Sequence, residues 1–298
     1  MGTPPGVYLT LSYTCPTSAK LLPDEGGLRE TAPGKVFKWY PKLQGISFGP
    51  GADPPTFARG AHPDWATFDY FWRWASEWLA RNEFTPAQGL YLLGQAVAHV
   101  EQHGRAVCRL PELVDLLNQV WTLDPAALHA HCEALEPVTE LDVVYLNILI
   151  NVMEQSDEVP QVFEGVREVL AQGPESAEHR QILDAYDRLV RPNLPRFERI
   201  ERNFLASRLY PNPLIYRSKT LRFGYFLSVL SLIELRFVAL LISLREGVPC
   251  DELAWLRAAA EVDMILQHST GVQEKFIKLL QNHAANTNLA NLTRPALF

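Results

Sequence analysis

The stretch Leu221–Leu244, LRFGYFLSVLSLIELRFVALLISL, is a very apolar run. Charged residues such as Glu234 and Arg236 interrupt it, so its continuous apolar-to-small section, Phe223–Ile233, has only eleven residues. A helix that crosses a bilayer needs about twenty apolar residues. We therefore predict that Thr220–Arg245 forms the buried central helix of a soluble helical domain and that the protein has no membrane contact.

Two charged residues inside this helix need partners if they are buried. Glu234 and Arg236 are two positions apart, so they lie on different faces of the helix and cannot pair with each other. An unpaired charge in a protein interior is costly. We expect each of the two side chains, if buried, to have its own partner.

Apolar residues at helical spacing continue outward from this central helix. Asp64 and Thr85 stand where helix N-caps are expected, and Pro86 follows at the first helical position. Aromatic residues after Asp64 recur at intervals of three and four, which indicates a core-facing stripe. The other predicted helices cover residues 65–79, 86–104, 111–118, 125–133, 141–153, 159–171, 177–190, 193–209, 251–268 and 272–282.

Residues 1–60 differ in composition from the rest of the chain. They are rich in proline and glycine, which excludes long helices there. Val7–Ser12 and Lys35–Tyr40 are short strand candidates. We predict a mainly α protein, in which a small irregular region with short strands (residues 1–60) precedes an all-helical domain, a multi-helix bundle (residues 61–298).

The overall composition bounds the class of protein. The chain has 298 residues, 47% hydrophobic and 20% charged, as in ordinary soluble globular proteins. A net charge of −7 argues against a nucleic-acid partner, because phosphate contacts need clustered lysine and arginine. The four cysteines include no CxxC pair, and the N-terminus does not read as a signal peptide. We expect a cytoplasmic, reduced protein.

Cys15 is a candidate ligand for a cofactor or a metal. The Cys15-Pro16 pair ends an alternating apolar and polar run and precedes one helical turn. A helix N-terminus lowers the pKa of a thiol and favours metal ligation. The alternative is a half-buried cysteine that only fills a corner between a strand and a helix.

Three stretches of the chain resemble the flagellin lysine N-methylase family. The first resembles its LSLSCPxAARLLL box, with matches at Leu9, Leu11, Ser12, Cys15, Pro16, Ala19, Lys20, Leu21 and Leu22. The second runs from His62-Pro63 through Trp65, Phe68, Trp72 and Trp78 to Gly89–Gly94. The third is Arg202–Leu205, followed by the apolar helix and the Gln267-His268 pair, which stands where the family usually has Glu-His.

The resemblance implies an iron–sulfur protein that transfers methyl groups from S-adenosylmethionine to lysines of flagellin or a similar surface protein. It implies that His268 is a general base or orienting group, and Asn203 matches the family's Glu-Asn-Tyr position. Glu234, Glu261 and Asp263 are candidates for an acidic face that accepts the proton of the lysine. The structural alternatives are that His268 caps the C-terminus of a helix and that Asn203 forms hydrogen bonds with backbone polar atoms.

The chain departs from that family in one respect. The cysteine-rich cluster region of the family lies upstream of the box, but only fourteen residues precede Cys15 and none of them is a cysteine. Two hypotheses follow. The chain is a lysine N-methylase-like protein that works with a cluster-bearing partner protein, or it is a non-catalytic helical interaction module that has lost the cluster.

The tryptophans of the aromatic stripe allow a further interpretation. Trp65, Trp72, Trp74 and Trp78 could form an aromatic cage for a methylated ammonium ion. The alternative is that these tryptophans pack in the core, which is the simpler explanation for Trp65 and Trp72 because they share one helix face. Trp74 falls off that face.

Overall fold

The computed structural model describes residues 53–134, 176–209 and 220–263. These residues are mainly helical, which confirms the predicted fold class. The α-helices are α1 (Trp65–Leu79), α2 (Pro86–His103), α3 (Leu110–Trp121), α4 (Pro125–Glu133), α5 (Ala177–Leu189), α6 (Leu194–Leu209), α7 (Leu221–Glu246) and α8 (Glu252–Asp263), with 3₁₀ turns at Gly104–Val107 and Arg191–Asn193.

Helix α7 is the central helix that its sequence predicts. Nearly every residue from Leu221 to Ser243 is buried, because α2, α5, α6 and α8 all pack against it. The helix is long and apolar enough to cross a membrane, but 89% of its apolar window is buried within the protein. It therefore forms the centre of the core around which the candidate site is built.

Both ends of α7 are fixed by local hydrogen bonds. The Thr220 hydroxyl accepts a hydrogen bond from the Phe223 amide at 3.2 Å. The helix ends at Gly247, whose φ of +63° is left-handed and suits glycine better than any residue with a Cβ. Near the start, Arg222 forms a forked ion pair with Glu101 of α2, with its Nε at 2.9 Å from Oε1.

The predicted caps of α1 and α2 are confirmed. Asp64 accepts a hydrogen bond from the Thr67 amide at 2.7 Å. Thr85 and Gln88 form a reciprocal capping box, in which each side chain accepts from the backbone amide of the other residue. These caps fix the short connection between α1 and α2, which the candidate site uses.

Aromatic side chains fill the core on the α1 side. Phe68, Phe71 and Trp72 are fully buried, and the Trp72 ring meets Phe71 and Phe68 edge to face at ring-centroid distances of 5.2 and 6.3 Å. Phe57, which precedes α1, is also buried and lies 6.2 Å from the Phe71 ring. The segment before α1 is thus packed onto the helical body.

Helix α3 is longer than its sequence predicted. The predicted end was Asn118, whereas the helix continues to Trp121. The extra turn places the Trp121 ring 6.1 Å from Trp74 and 5.6 Å from Trp78, so tertiary contacts extend the helix.

Several predicted elements lie outside the described residues, so they stay predictions. They are the strand candidates Val7–Ser12 and Lys35–Tyr40, the helices over 141–153, 159–171 and 272–282, and the last five residues of the helix predicted over 251–268.

Candidate functional site

A buried ion pair joins α6 to α7. The Arg236 Nε lies 2.7 Å from Glu201 Oε1, and the Arg236 Nη2 lies 2.9 Å from Glu201 Oε2. The side chains of Arg236 and Glu201 are 5% and 0% exposed. The pair supplies the separate partner that the sequence requires for Arg236, and Glu201 is a residue that the sequence did not single out.

Burial and charge oppose each other at this pair. Burial alone would lower the pKa of Arg236, but the Glu201 carboxylate, aided by Tyr186 of α5, more than offsets it, so the pKa is raised. Glu198, one turn before Arg202 on α6, has a raised pKa because it is partly buried, although Arg202 counteracts this. The guanidinium of Arg236 therefore stays charged inside the core.

Arg202 connects α6 to the end of α1 and to the loop that follows. Its Nη1 donates to the carbonyl oxygens of Leu79, Arg81 and Phe84, at 3.4 Å for Leu79 and 3.0 Å for Phe84. Burial lowers the pKa of Arg202, partly offset by Glu198. The guanidinium thus satisfies the Leu79 carbonyl at the end of α1 and two carbonyls of the following loop.

Three rings surround the guanidinium of Arg81, and we call Trp78, Phe84 and Trp121 the aromatic box. The Arg81 Cζ lies 4.9 Å from the ring centroid of Trp78, 4.8 Å from that of Trp121 and 5.6 Å from that of Phe84. All three distances fall within the range of cation–π attraction. The box is therefore a site whose shape and electrostatics already accommodate a cation.

The walls of the aromatic box are held from behind. Trp78 is 1% exposed, donates from its Nε1 to the Gly89 carbonyl at 3.2 Å and stacks on Trp74 at 5.6 Å. Trp74 is buried too, because α3 covers that side of α1. On the other side, the His129 ring of α4 lies 5.3 Å from Phe84.

One side of the box faces solvent and carries a negative charge. Trp121 is 37% exposed. Glu83, whose side chain is 49% exposed, pairs with the Arg81 Nη2 at 3.2 Å. That hydrogen bond to Arg81 lowers the pKa of Glu83, so the carboxylate at the opening stays ionised.

Three carboxylates on α7 and α8 are buried or half-buried. Glu234 of α7 is 1% exposed and Asp263 of α8 is 0% exposed. Glu261 is half-buried, and burial raises its pKa despite the nearby Arg257. A carboxylate with a raised pKa accepts a proton more readily near neutral pH than an exposed one does.

The structure gives positions to two of the predicted site residues. Asn203 lies on α6 and is half-buried, and Glu234 lies on α7 and is buried. Each stands two residues from a member of the Glu201–Arg236 pair, roughly 200° around its helix. Asn203 and Glu234 therefore lie on other faces of α6 and α7 than the Glu201–Arg236 pair, and the contact between the two helices at that pair does not bring them together. Cys15 and His268 lie outside the described residues.

The described cysteines do not fit an iron–sulfur cluster. Cys108, Cys132 and Cys250 carry free thiols. Burial raises the pKa of all three and, with a smaller effect of Glu133, raises the pKa of Cys132 to about 11. Within residues 53–134, 176–209 and 220–263, no three side chains of the metal-ligating types come together.

The sequence did not predict the aromatic box. It singled out Trp78 but neither Arg81 and Phe84, in the loop after α1, nor Trp121, at the end of α3. A signal was present: Arg81 follows Trp78 by three residues and Phe84 follows Arg81 by three. Nothing in the sequence indicated that Trp121 would close the box from another helix.

In comparisons with known proteins, no protein-family model, no curated protein and no solved structure matches the chain.

Proposed function

We propose that the chain is a lysine N-methylase-like protein that promotes methyl transfer from S-adenosylmethionine to protein lysines, with flagellin or a similar surface protein as substrate. The observation that supports the proposal is the meeting of two stretches that carry the resemblance. Trp78 of the second stretch donates to Gly89 of the same stretch, and Arg202 of the third stretch donates to the carbonyl of Leu79, the residue after Trp78. Segments more than a hundred positions apart thus share one corner.

In such a reaction the residues of this chain would take up protons from the lysine amine of the substrate. A lysine must lose a proton before its nitrogen can attack an electrophilic methyl group, and the methylated amine must lose another before each further transfer. Glu261, with its raised pKa, and the buried Glu234 are suited to take up these protons.

S-adenosylmethionine would supply the methyl group as part of a sulfonium cation. The described cysteines do not fit an iron–sulfur cluster, so we propose no step through one in this part of the chain. A cluster-bearing partner protein belongs to the proposal because the residues before Cys15 contain no cysteine, where the family has its cluster region.

The test is a mass measurement on a candidate substrate. The chain is purified anaerobically and incubated with S-adenosylmethionine and flagellin, with and without a co-purifying cluster-bearing protein. We expect lysine-containing peptides to gain the mass of one or more methyl groups. The absence of any gain in both incubations would contradict the proposal.

A non-catalytic helical interaction module is the second candidate function. The observation that favours it is that buried charged side chains hold the helices together. Glu201 and Arg236 pair with each other, and Arg202 donates to the Leu79 carbonyl at the end of α1. For a module of this kind we expect stable association with a partner protein, measured by co-purification, without any methyl transfer.

A further inference from the structure

The aromatic box places one cation against three rings, which come from α1, the following loop and α3. The rings also pack on one another, since Trp78 stacks on Phe84 at 5.5 Å and meets Trp121 edge to face at 5.6 Å. The Arg81 Cζ lies within 5.6 Å of all three ring centroids, so its guanidinium takes the place beside these rings that a bound cationic ligand would take.

The hydrogen bonds that hold Arg81 in the box are weak. Its Nη1 lies 3.4 Å from the Trp121 carbonyl oxygen, beyond the usual range of 2.7 to 3.2 Å. Its other partner, Glu83, is 49% exposed, and ion pairs at exposed positions contribute little. The Arg81 side chain is 14% exposed, so the main cost of its release into solvent is the loss of its contacts with the rings.

We propose that the aromatic box is a binding site for an alkylated ammonium cation, and that Arg81 closes the site until such a cation replaces its guanidinium. Methylated ammonium groups carry few or no hydrogen-bond donors and a diffuse charge, so they lose little hydration when rings surround them. Glu83 at the opening would remain as the counter-charge. The proposal goes beyond the proposed function, because it rests on the contacts of the box and requires no methyl transfer.

Two sources can present this chemistry, a methylated lysine of a protein and a free quaternary amine. The experiment titrates the full chain with a trimethyllysine peptide and, separately, with choline, and follows tryptophan fluorescence. A third titration uses the same peptide with an uncharged tert-butyl group in place of the trimethylammonium. This neutral isostere separates attraction to charge from simple apolar burial.

The decisive variant is Arg81→Met, which keeps an unbranched side chain and removes the charge. We expect Arg81→Met to bind the trimethyllysine peptide about tenfold more tightly than the unchanged chain, because no internal cation competes. The neutral isostere should bind about tenfold more weakly than the charged peptide. The matched control is Arg196→Met, which removes another arginine beside an aromatic ring, 5.3 Å from Phe197, and should leave the affinity unchanged.

A second variant keeps the test decisive if Arg81→Met does not fold. Trp121→Leu removes one wall of the box in the otherwise unchanged chain, and it should abolish binding of the trimethyllysine peptide. The proposal is overturned if the charged peptide and its neutral isostere bind equally, if folded Arg81→Met gains no affinity, or if Trp121→Leu binds as well as the unchanged chain. Tighter binding of the peptide than of choline identifies a protein ligand, and the reverse identifies a free amine.

Discussion

Arg236 and Glu201 form a forked ion pair inside the core, with N–O distances of 2.7 and 2.9 Å and both side chains at most 5% exposed. The pair links the central helix α7 to α6, and the neighbouring residue on α6, Arg202, links α6 to the end of α1 and to the loop that follows. These two arginines therefore connect the central helix to the corner that holds the aromatic box.

Loss of one member of the buried pair should destabilise the protein strongly. We expect Arg236→Met to lower the free energy of unfolding by about 3–5 kcal/mol, because it leaves the Glu201 carboxylate buried without its partner. The double substitution Glu201→Leu/Arg236→Met should recover most of this loss. Urea denaturation followed by circular dichroism measures both.

An exposed ion pair serves as the control for that experiment. Arg191 and Asp187 lie 2.8 Å apart, with side chains 49% and 58% exposed. Asp187→Asn should change the free energy of unfolding by less than about 1 kcal/mol. Equal losses for Arg236→Met and Asp187→Asn would mean that the buried pair has no special role.

The capping box at the start of α2 should contribute measurably to stability. Thr85→Ala removes the hydroxyl that accepts from the Gln88 amide at 3.2 Å. We expect a loss of about 1 kcal/mol in the free energy of unfolding, the usual effect of removing an N-cap side chain. Thr85→Ser keeps a hydroxyl acceptor and should lose less than half as much, and a loss as large as that of alanine would contradict the assignment.

Glu261 should make stability fall as the pH rises. Burial raises its pKa in the folded state, so the folded protein holds this proton more tightly than the unfolded chain does. The stabilisation is complete below the ordinary pKa of glutamate and is lost as the pH rises through the raised value. We therefore expect Glu261→Gln to gain stability relative to the unchanged chain as the pH increases from acidic to neutral.

The measurement for Glu261 is a series of urea denaturations across that pH range. The difference between Glu261→Gln and the unchanged chain should grow in favour of the variant toward neutral pH. A difference that is constant with pH, or that grows in the opposite direction, would show that the carboxyl group is not perturbed as described.

The Cys132 thiol should resist alkylation in the folded protein. Its pKa is raised to about 11, chiefly by burial and further by Glu133, and only the thiolate is nucleophilic. We expect iodoacetamide at mildly alkaline pH to label Cys108, which is half-buried, before Cys132. Peptide mapping by mass spectrometry distinguishes the two, and both should react in denaturant. Faster labelling of Cys132 in the native state would contradict its burial.

Local features of the fold could be predicted from the sequence because they depend on neighbouring residues. The caps at Asp64 and Thr85, the glycine after α7 and the burial of that helix all follow from short-range patterns. The sequence also showed that Arg236 would need its own partner. It did not identify Glu201, since that choice depends on how α6 packs on α7.

The candidate site could be predicted only in part, for the same physical reason. The aromatic stripe of α1 is visible as a helical period, but its use as a box depends on Trp121, which another helix brings 5.6 Å from Trp78. Asn203 was predicted from its match to the family, and Glu234 was predicted as part of an acidic face that accepts the proton of the lysine. The contact between their helices is occupied by Glu201 and Arg236 instead.

The most direct test of the proposed function is transfer of an isotopically labelled methyl group from S-adenosylmethionine to a protein lysine, assayed together with the cluster-bearing partner. The proposal predicts label on lysine with the unchanged chain and with Asp187→Asn, and a large loss of label with Glu234→Gln at equal folded concentration. Label that depends on the partner alone, or no label with any form of the chain, would contradict it.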